Sequence, residues 1–344
     1  MEGYNKKVIM SYWTICRMKT TKKIYVKVSI IFLLGGILLF SSCEKEENQK
    51  IEANRKTLFM YLPWSSNLTN YFYNNISDLE KCITKIGLNN EKVIVFISTG
   101  STEAMMFEIV SSHGRCKREI LKKYKSPPFT TIDGITAILN DVKAFAPASV
   151  YTMIIGCHGM GWLPVYEMKV RSAPHMKMHW EYQGVPLTRY FGGLTAEYQT
   201  DIKSLASGIA NAGMKMEYIL FDDCYMSSIE VAYELKDVTK YLIGSTSEMM
   251  AYGMPYAAIG EYLLGNPDYQ SGCEEFYNFY STYEIMPCGT LAVTDCSELE
   301  NMAAIIKSIN SKYSFDKSLR GTIQRLDGYT PVIFYDFKQN LGGL

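Results

Sequence analysis

Ile154-Ile155-Gly156-Cys157-His158-Gly159-Met160-Gly161-Trp162 and, further on, Ile219-Leu220-Phe221-Asp222-Asp223-Cys224-Tyr225-Met226 decide how this chain reads. Each stretch is an apolar run that stops abruptly in glycine or acid. The first run extends backwards through Tyr151-Thr152-Met153 and the second through Tyr218. Short apolar runs without polar alternation suit strands buried on both faces. Three more runs share the pattern: Thr57-Leu58-Phe59-Met60-Tyr61-Leu62, Lys92-Val93-Ile94-Val95-Phe96-Ile97 and Tyr241-Leu242-Ile243-Gly244.

The segments between these runs carry apolar residues at helical spacing: 68–86, 132–145, 201–212, 227–235 and 299–309. Strands alternating with helices predict an α/β fold, a mainly parallel sheet with helices on both faces. Residues 105–110 read as a small antiparallel edge. Residues 162–195 break the rhythm with Pro164, Pro174, Pro186 and Gly192-Gly193 among basic residues, and read as a long exposed loop. Residues 337–344 close without a terminal element, as a chain truncated there would.

The composition is that of a globular protein, with 47% hydrophobic and 20% charged residues in 344. Lys plus Arg equal Asp plus Glu at 35 each, so no electrostatic footprint for nucleic acid is present. The amino terminus has a different character. Lys19, Lys22, Lys23 and Lys27 precede an apolar run over residues 28–40, and Ser41-Ser42-Cys43 follows it. A basic start, a short apolar core and small residues describe a secretory signal. The run falls short of the roughly 20 residues of a membrane span. Leu39-Phe40-Ser41-Ser42-Cys43 resembles a bacterial lipobox with Phe40 at the usual leucine, which makes Cys43 a lipidation site. A simple amino-terminal anchor helix is the alternative. Glu44-Lys45-Glu46-Glu47-Asn48-Gln49-Lys50 reads as a solvated tether and resembles the signal for surface display of some Bacteroidetes lipoproteins. The expected layout is a signal peptide over 1–43, a tether over 44–55 and one folded domain over 56–344, anchored by lipid in the outer membrane. Seven cysteines remain after Cys43 and none forms a CxxC pair, so no zinc or thioredoxin spacing occurs and most read as core.

The two opening stretches place a histidine and a cysteine beyond the carboxyl ends of strands, where open α/β sheets form their ligand crevice. A thiolate is the nucleophile, and an imidazole nearby takes or gives its proton. The start of a helix after Cys224 is expected to lower the thiol pKa. Gly159 lets backbone approach a substrate, and its N–H with that of Cys224 is a candidate oxyanion hole. Alone, His158 could satisfy a turn, Cys224 could be core, and Asp222 could be a helix N-cap. Cys157 ends an apolar strand and is read as core.

Together the motifs resemble the clostripain family of cysteine peptidases, which has a caspase-like fold. His158 to Trp162 matches its His-Gly-x-Gly-Trp, and Asp222, Cys224 and Met226 match its Asp-x-Cys-x-Met. Ser245-Thr246-Ser247-Glu248 and Gly253-Met254-Pro255-Tyr256 match two later motifs. The resemblance implies a caspase-like three-layer sandwich with His158 as general acid/base and Cys224 as nucleophile. It implies that Asp222 lines a pocket for a basic side chain. A second pocket acid is expected where Tyr252 stands, and Asp223 and Glu248 are candidate substitutes. The implied activity is an endopeptidase cutting protein or peptide substrates after Arg or Lys. A peptidase of different specificity and a non-catalytic surface binding lipoprotein are the competing readings. No cofactor is required; some relatives bind calcium, but no EF-hand-like acidic loop occurs here. His113, His175 and His179 take no role. Lys169, Arg171, Lys177 and Arg189 make the long loop a candidate for self-cleavage.

Overall fold

The computed structural model describes residues 54–65, 67–163, 165, 196–314, 316–328 and 332–337. Cys43, residues 1–53 of the expected signal and tether, His175, His179 and the four basic residues of the long loop lie outside the described residues.

Among the described residues one eight-stranded sheet organises the chain, in the order β4-β3-β2-β1-β5-β6-β7-β8. Its strands are β1 (Asn54–Leu62), β2 (Glu91–Ser98), β3 (Glu103–Ser112), β4 (Arg115–Lys125), β5 (Ala148–Ile155), β6 (Met216–Phe221), β7 (Thr239–Gly244) and β8 (Ala292–Asp295). The run β2-β1-β5-β6-β7 is parallel, while β3, β4 and β8 join antiparallel. The five apolar runs of the sequence are these five parallel strands. Their centres are buried from end to end; Leu58, Met60, Val93, Val95, Met153, Ile154, Ile219 and Leu220 are all solvent-inaccessible. Burying each such side chain is worth about 1.5–3 kcal/mol.

Seven α-helices among the described residues follow the same logic: α1 (Thr69–Ile86), α2 (Ile132–Phe145), α3 (Ile202–Asn211), α4 (Ile229–Leu235), α5 (Tyr256–Leu263), α6 (Tyr269–Ser281) and α7 (Leu299–Asn310). α1 buries Phe72, Ile76, Leu79 and Ile83, a stripe at helical spacing. Thr131 caps α2 by accepting from the Gly134 N–H at 3.1 Å, and Ser228 caps α4 by accepting from Val231 at 3.3 Å. α1, α5 and α6 pack together, as do α2, α3, α4 and α7, so the two groups cover the two faces of the sheet.

The small edge read at residues 105–110 is part of a long β3–β4 hairpin. His113 and Gly114 turn it with positive φ, at 51° and 69°, as a two-residue hairpin loop requires. β4 has no apolar run; Lys117, Arg118, Lys122 and Lys123 line an edge where charge discourages pairing with another chain. Strand order reverses between β1 and β5, and the carboxyl ends of β1, β5 and β6 lie side by side there.

Candidate active site

Ile155 and Phe221 are register partners at the ends of β5 and β6, and the Asp222 N–H donates to the Ile155 carbonyl at 2.8 Å. His158 and Cys224 each follow three residues after a partnered residue, so the ladder delivers both to one place. Gly159 presses the two motifs together. A Cβ there would stand 2.1 Å from the Cys224 carbonyl oxygen and 2.8 Å from its nitrogen. Only a residue without a side chain permits that approach. Both candidate side chains are enclosed, with His158 1% exposed and Cys224 fully buried.

Asn67, in the loop after β1, holds the imidazole. Its Oδ1 lies 2.9 Å from His158 Nε2. An amide oxygen only accepts, so Nε2 carries the proton and the basic lone pair of the neutral ring belongs to Nδ1. Nothing in the sequence around Asn67 marks it for this role.

The sulfur of Cys224 accepts the Met249 N–H at 3.0 Å and lies 3.7 Å from the Met249 carbonyl as donor. The expected helix start is not what faces it. After Cys224 the backbone turns at Tyr225, whose φ is 59°, and runs beside the residues after β7. The N–H groups of Tyr225 and Ser227 donate to the carbonyls of Ser247 and Ser245 at 3.0 and 2.9 Å. These bonds keep the chain out of helix until Ile229, so the Met249 amide, not the α4 N-terminus, supplies the positive dipole at the sulfur.

Cys157 is buried as read from the sequence, at 3% exposure. Its N–H donates to Asp223 Oδ1 at 2.5 Å, and its thiol faces the His158 carbonyl at 3.1 Å and Asp223 Oδ2 at 3.5 Å. Asp223, a candidate pocket acid, is thereby engaged beneath the strand ends, fully buried. All seven cysteines of the described residues are free thiols; Cys288 is exposed and so departs from the core reading.

Asp222 is 1% exposed and accepts from the Met254 N–H at 2.8 Å through Oδ1 and from the Tyr256 hydroxyl at 3.0 Å through Oδ2. It therefore links the cysteine motif to the Gly253–Tyr256 motif, and it caps no helix. Glu248 accepts the Tyr225 hydroxyl at 2.9 Å. Tyr252 donates its hydroxyl to Asp78 of α1 at 2.7 Å.

Phe334 is the largest feature that pattern reading missed. Its ring stacks on Tyr225 at 4.5 Å with planes 5° apart, and a Cβ at Gly161 would lie 2.7 Å from it. One aromatic side chain near the end of the described chain thus rests on both motifs. Among the described residues no group of three or more His, Cys, Asp or Glu side chains could hold a metal ion, and no helix is long and apolar enough to cross a membrane.

Comparison with known proteins identifies a family and a shared fold. The model of the clostripain family matches residues 60–340. The structure of a secreted C11 cysteine protease from Bacteroides thetaiotaomicron, "iotapain", is 59% identical, covers 85% of this chain and 80% of its own, and superposes with a TM-score of 0.77. An inactive zymogen C11 protease from Parabacteroides distasonis shares the fold at 24% identity and TM-score 0.69, covering 84% of this chain and 77% of its own. A second secreted C11 protease from B. thetaiotaomicron, in complex with an irreversible peptide inhibitor, shares it at 20% identity and TM-score 0.63, covering 79% and 73%. No curated protein matches the chain.

Proposed function

This chain belongs to the clostripain family of cysteine peptidases, and on that premise we propose that it hydrolyses peptide bonds with His158 and Cys224 as its reacting pair, after Arg or Lys. The observation that carries the pair is the β5–β6 register, which brings both motifs into backbone contact at Gly159. The thiolate of Cys224 attacks the scissile carbonyl carbon. Negative charge gathers on the carbonyl oxygen, and the N–H groups of Gly159 and Cys224 are the donors assigned to it. As the C–N bond breaks, the imidazolium of His158 gives its proton to the leaving amine. His158 then takes a proton from the water that attacks the thioester, and the acid product leaves with Cys224 restored. Asn67 keeps the ring oriented throughout.

Asp222 is the acid assigned to the basic side chain. The Met254 N–H and the Tyr256 hydroxyl hold it in place. The test is cleavage of a peptide library by the wild-type enzyme, with Asp222→Asn beside it. Cuts should follow Arg and Lys, and Asp222→Asn should lose cleavage there far more than it loses reaction with a small thiol reagent. Cuts without a basic preference would sink the specificity while leaving the pair intact. Calcium dependence, carried by family resemblance alone, is read by repeating the assay with a chelator.

The burial of both reacting side chains supports a further element, opening of the cleft by self-cleavage in the loop after residue 164, most readily at Lys169 or Arg171. Wild-type enzyme that stays intact and fully active through long incubation would remove it. Export with lipidation at Cys43 rests on the amino-terminal pattern, and the similar protease described as secreted supports export. Cys43→Ser should release the enzyme from membranes or block its processing; an unchanged membrane fraction of cleaved protein contradicts the anchor.

A further inference from the structure

The basic pocket inferred above has one acid where the family pattern asks for two, because Tyr252 occupies the second position. The structure shows what stands behind that tyrosine. Its hydroxyl donates to Asp78 Oδ2 at 2.7 Å, and Asn75, one turn earlier on α1, donates to its carbonyl at 2.8 Å. Residues three apart lie on one helix face, so α1 grips Tyr252 at both ends. Phe279 and Tyr283 pack on its ring at 5.1 and 5.9 Å. Two residues further on, the Met254 N–H binds Asp222. The intervening Gly253 has φ 78°, and its carbonyl accepts from Tyr280 at 2.6 Å.

We propose that Asp78, acting through the hydroxyl of Tyr252, supplies the second negative charge of the pocket that receives a basic side chain. The inference rests on the basic-residue reading of Asp222. Its chemistry follows from which atom holds the proton. A carboxylate only accepts, so the phenol spends its hydrogen on Asp78. The phenolic oxygen then presents lone pairs, enriched by a charge-assisted bond, as an acceptor for an ammonium or guanidinium. Burial, then the Asp78 carboxylate, with Asp222 adding to the effect, hold the phenol far above its ordinary pKa, so it stays a neutral relay at working pH. The Asp78 side chain is only 10% exposed; its partner Lys81, at 2.7 Å, is 70% exposed. Solvent screens the exposed ammonium, which sits on Oδ1, more than the buried carboxylate, whose Oδ2 faces Tyr252.

The charge can be removed without removing the shape. Asp78→Asn keeps an acceptor for the Tyr252 hydroxyl and loses the charge. Paired peptides carrying arginine or its neutral isostere citrulline before the cut report the effect. The wild-type enzyme should prefer arginine strongly. Asp78→Asn should lower kcat/KM for arginine roughly 10- to 100-fold, mostly through KM, and affect citrulline much less. Tyr252→Asp introduced into Asp78→Asn should restore the preference by putting an acid at the second position directly. Equal losses on both peptides would make Asp78 a mere brace for α1 and overturn the inference, as would an unchanged ratio or a failure of Tyr252→Asp to rescue. A wild-type enzyme indifferent to arginine and citrulline would instead defeat the basic-residue reading itself.

Discussion

Two cysteines stand at adjoining strand ends, and their nearest polar neighbours differ. Cys157, after β5, points its sulfur at acceptors, the His158 carbonyl at 3.1 Å and the Asp223 carboxylate at 3.5 Å. Cys224, after β6, has a backbone donor 3.0 Å from its sulfur, while its own acceptor, the Met249 carbonyl, lies farther off at 3.7 Å. Both are buried. Acceptors favour a thiol that keeps its hydrogen, and a carboxylate nearby opposes a thiolate; a donor favours the anion. Burial alone therefore does not separate an inert thiol from a reactive one. The polarity of the first neighbours does, and it follows from one backbone feature, the turn at Tyr225 that brings Met249 over the sulfur.

The sharpest way to break this contrast is to delete each sulfur. Cys224→Ala should lower kcat on a peptide substrate by about four orders of magnitude or more, since nucleophile and base act as a unit. Cys157→Ala should stay within about tenfold of wild type, because it removes only a small buried group. A variant lacking Cys224 that cleaves as well as wild type refutes the assignment outright.

A smaller effect is expected where the two strand ends touch. Gly159→Ala drives a methyl group to 2.1 Å from the Cys224 carbonyl oxygen, so backbone must shift. The expected cost is about 1–3 kcal/mol of stability, seen as a lower melting temperature, with a loss of kcat larger than any rise in KM. Normal turnover by Gly159→Ala would show that the tight approach has no part in the chemistry.

The smallest effect concerns selectivity among thiols. Burial pushes Cys82, Cys273 and Cys296 up to about 11, against an ordinary 9.0. Alkylation at pH 7.5 should therefore mark Cys224 before those three, with inactivation in step, and reach them only as pH approaches 11. Mass spectrometry of the labelled peptides checks the order, and early labelling of Cys82 contradicts it. The same shifts have a stability counterpart. Above about pH 9 the unfolded chain releases protons that the folded chain keeps, so the stability these thiols contribute is lost as pH climbs towards 11.

Much of this architecture was legible because the parallel strands are continuous apolar runs. The runs ending at Ile155 and Phe221 announced both strands and their functional tips. β4 was not legible, since a lysine-rich edge strand carries no apolar signal, and α6 was hidden because Tyr269 to Ser281 mixes aromatic and polar residues without a clean stripe. The motifs showed His158 and Cys224 as candidates, and Tyr252 as an anomaly. They could not show Asn67, Met249, Asp78 or Phe334. Two of these act through side chains brought from α1 and the loop after β1, one through its backbone amide, and one by stacking from the far end of the chain. Such contacts exist only after folding.

The β5–β6 register has one more consequence, for how such a protein changes over time. His158 and Cys224 are each positioned by counting three residues from a ladder rung, and neither is positioned by counting from the other. Chain inserted between the two motifs leaves that count untouched, and closing a longer loop costs only about 0.6 kcal/mol per doubling of its length. The connection can therefore be lengthened, shortened or severed over generations while the chemistry keeps its spacing. A single residue added between Ile155 and His158, by contrast, displaces the imidazole from its place beside Asn67. The tolerance of this scaffold is written into where its rungs lie, and variation should accumulate on one side of His158 and halt on the other.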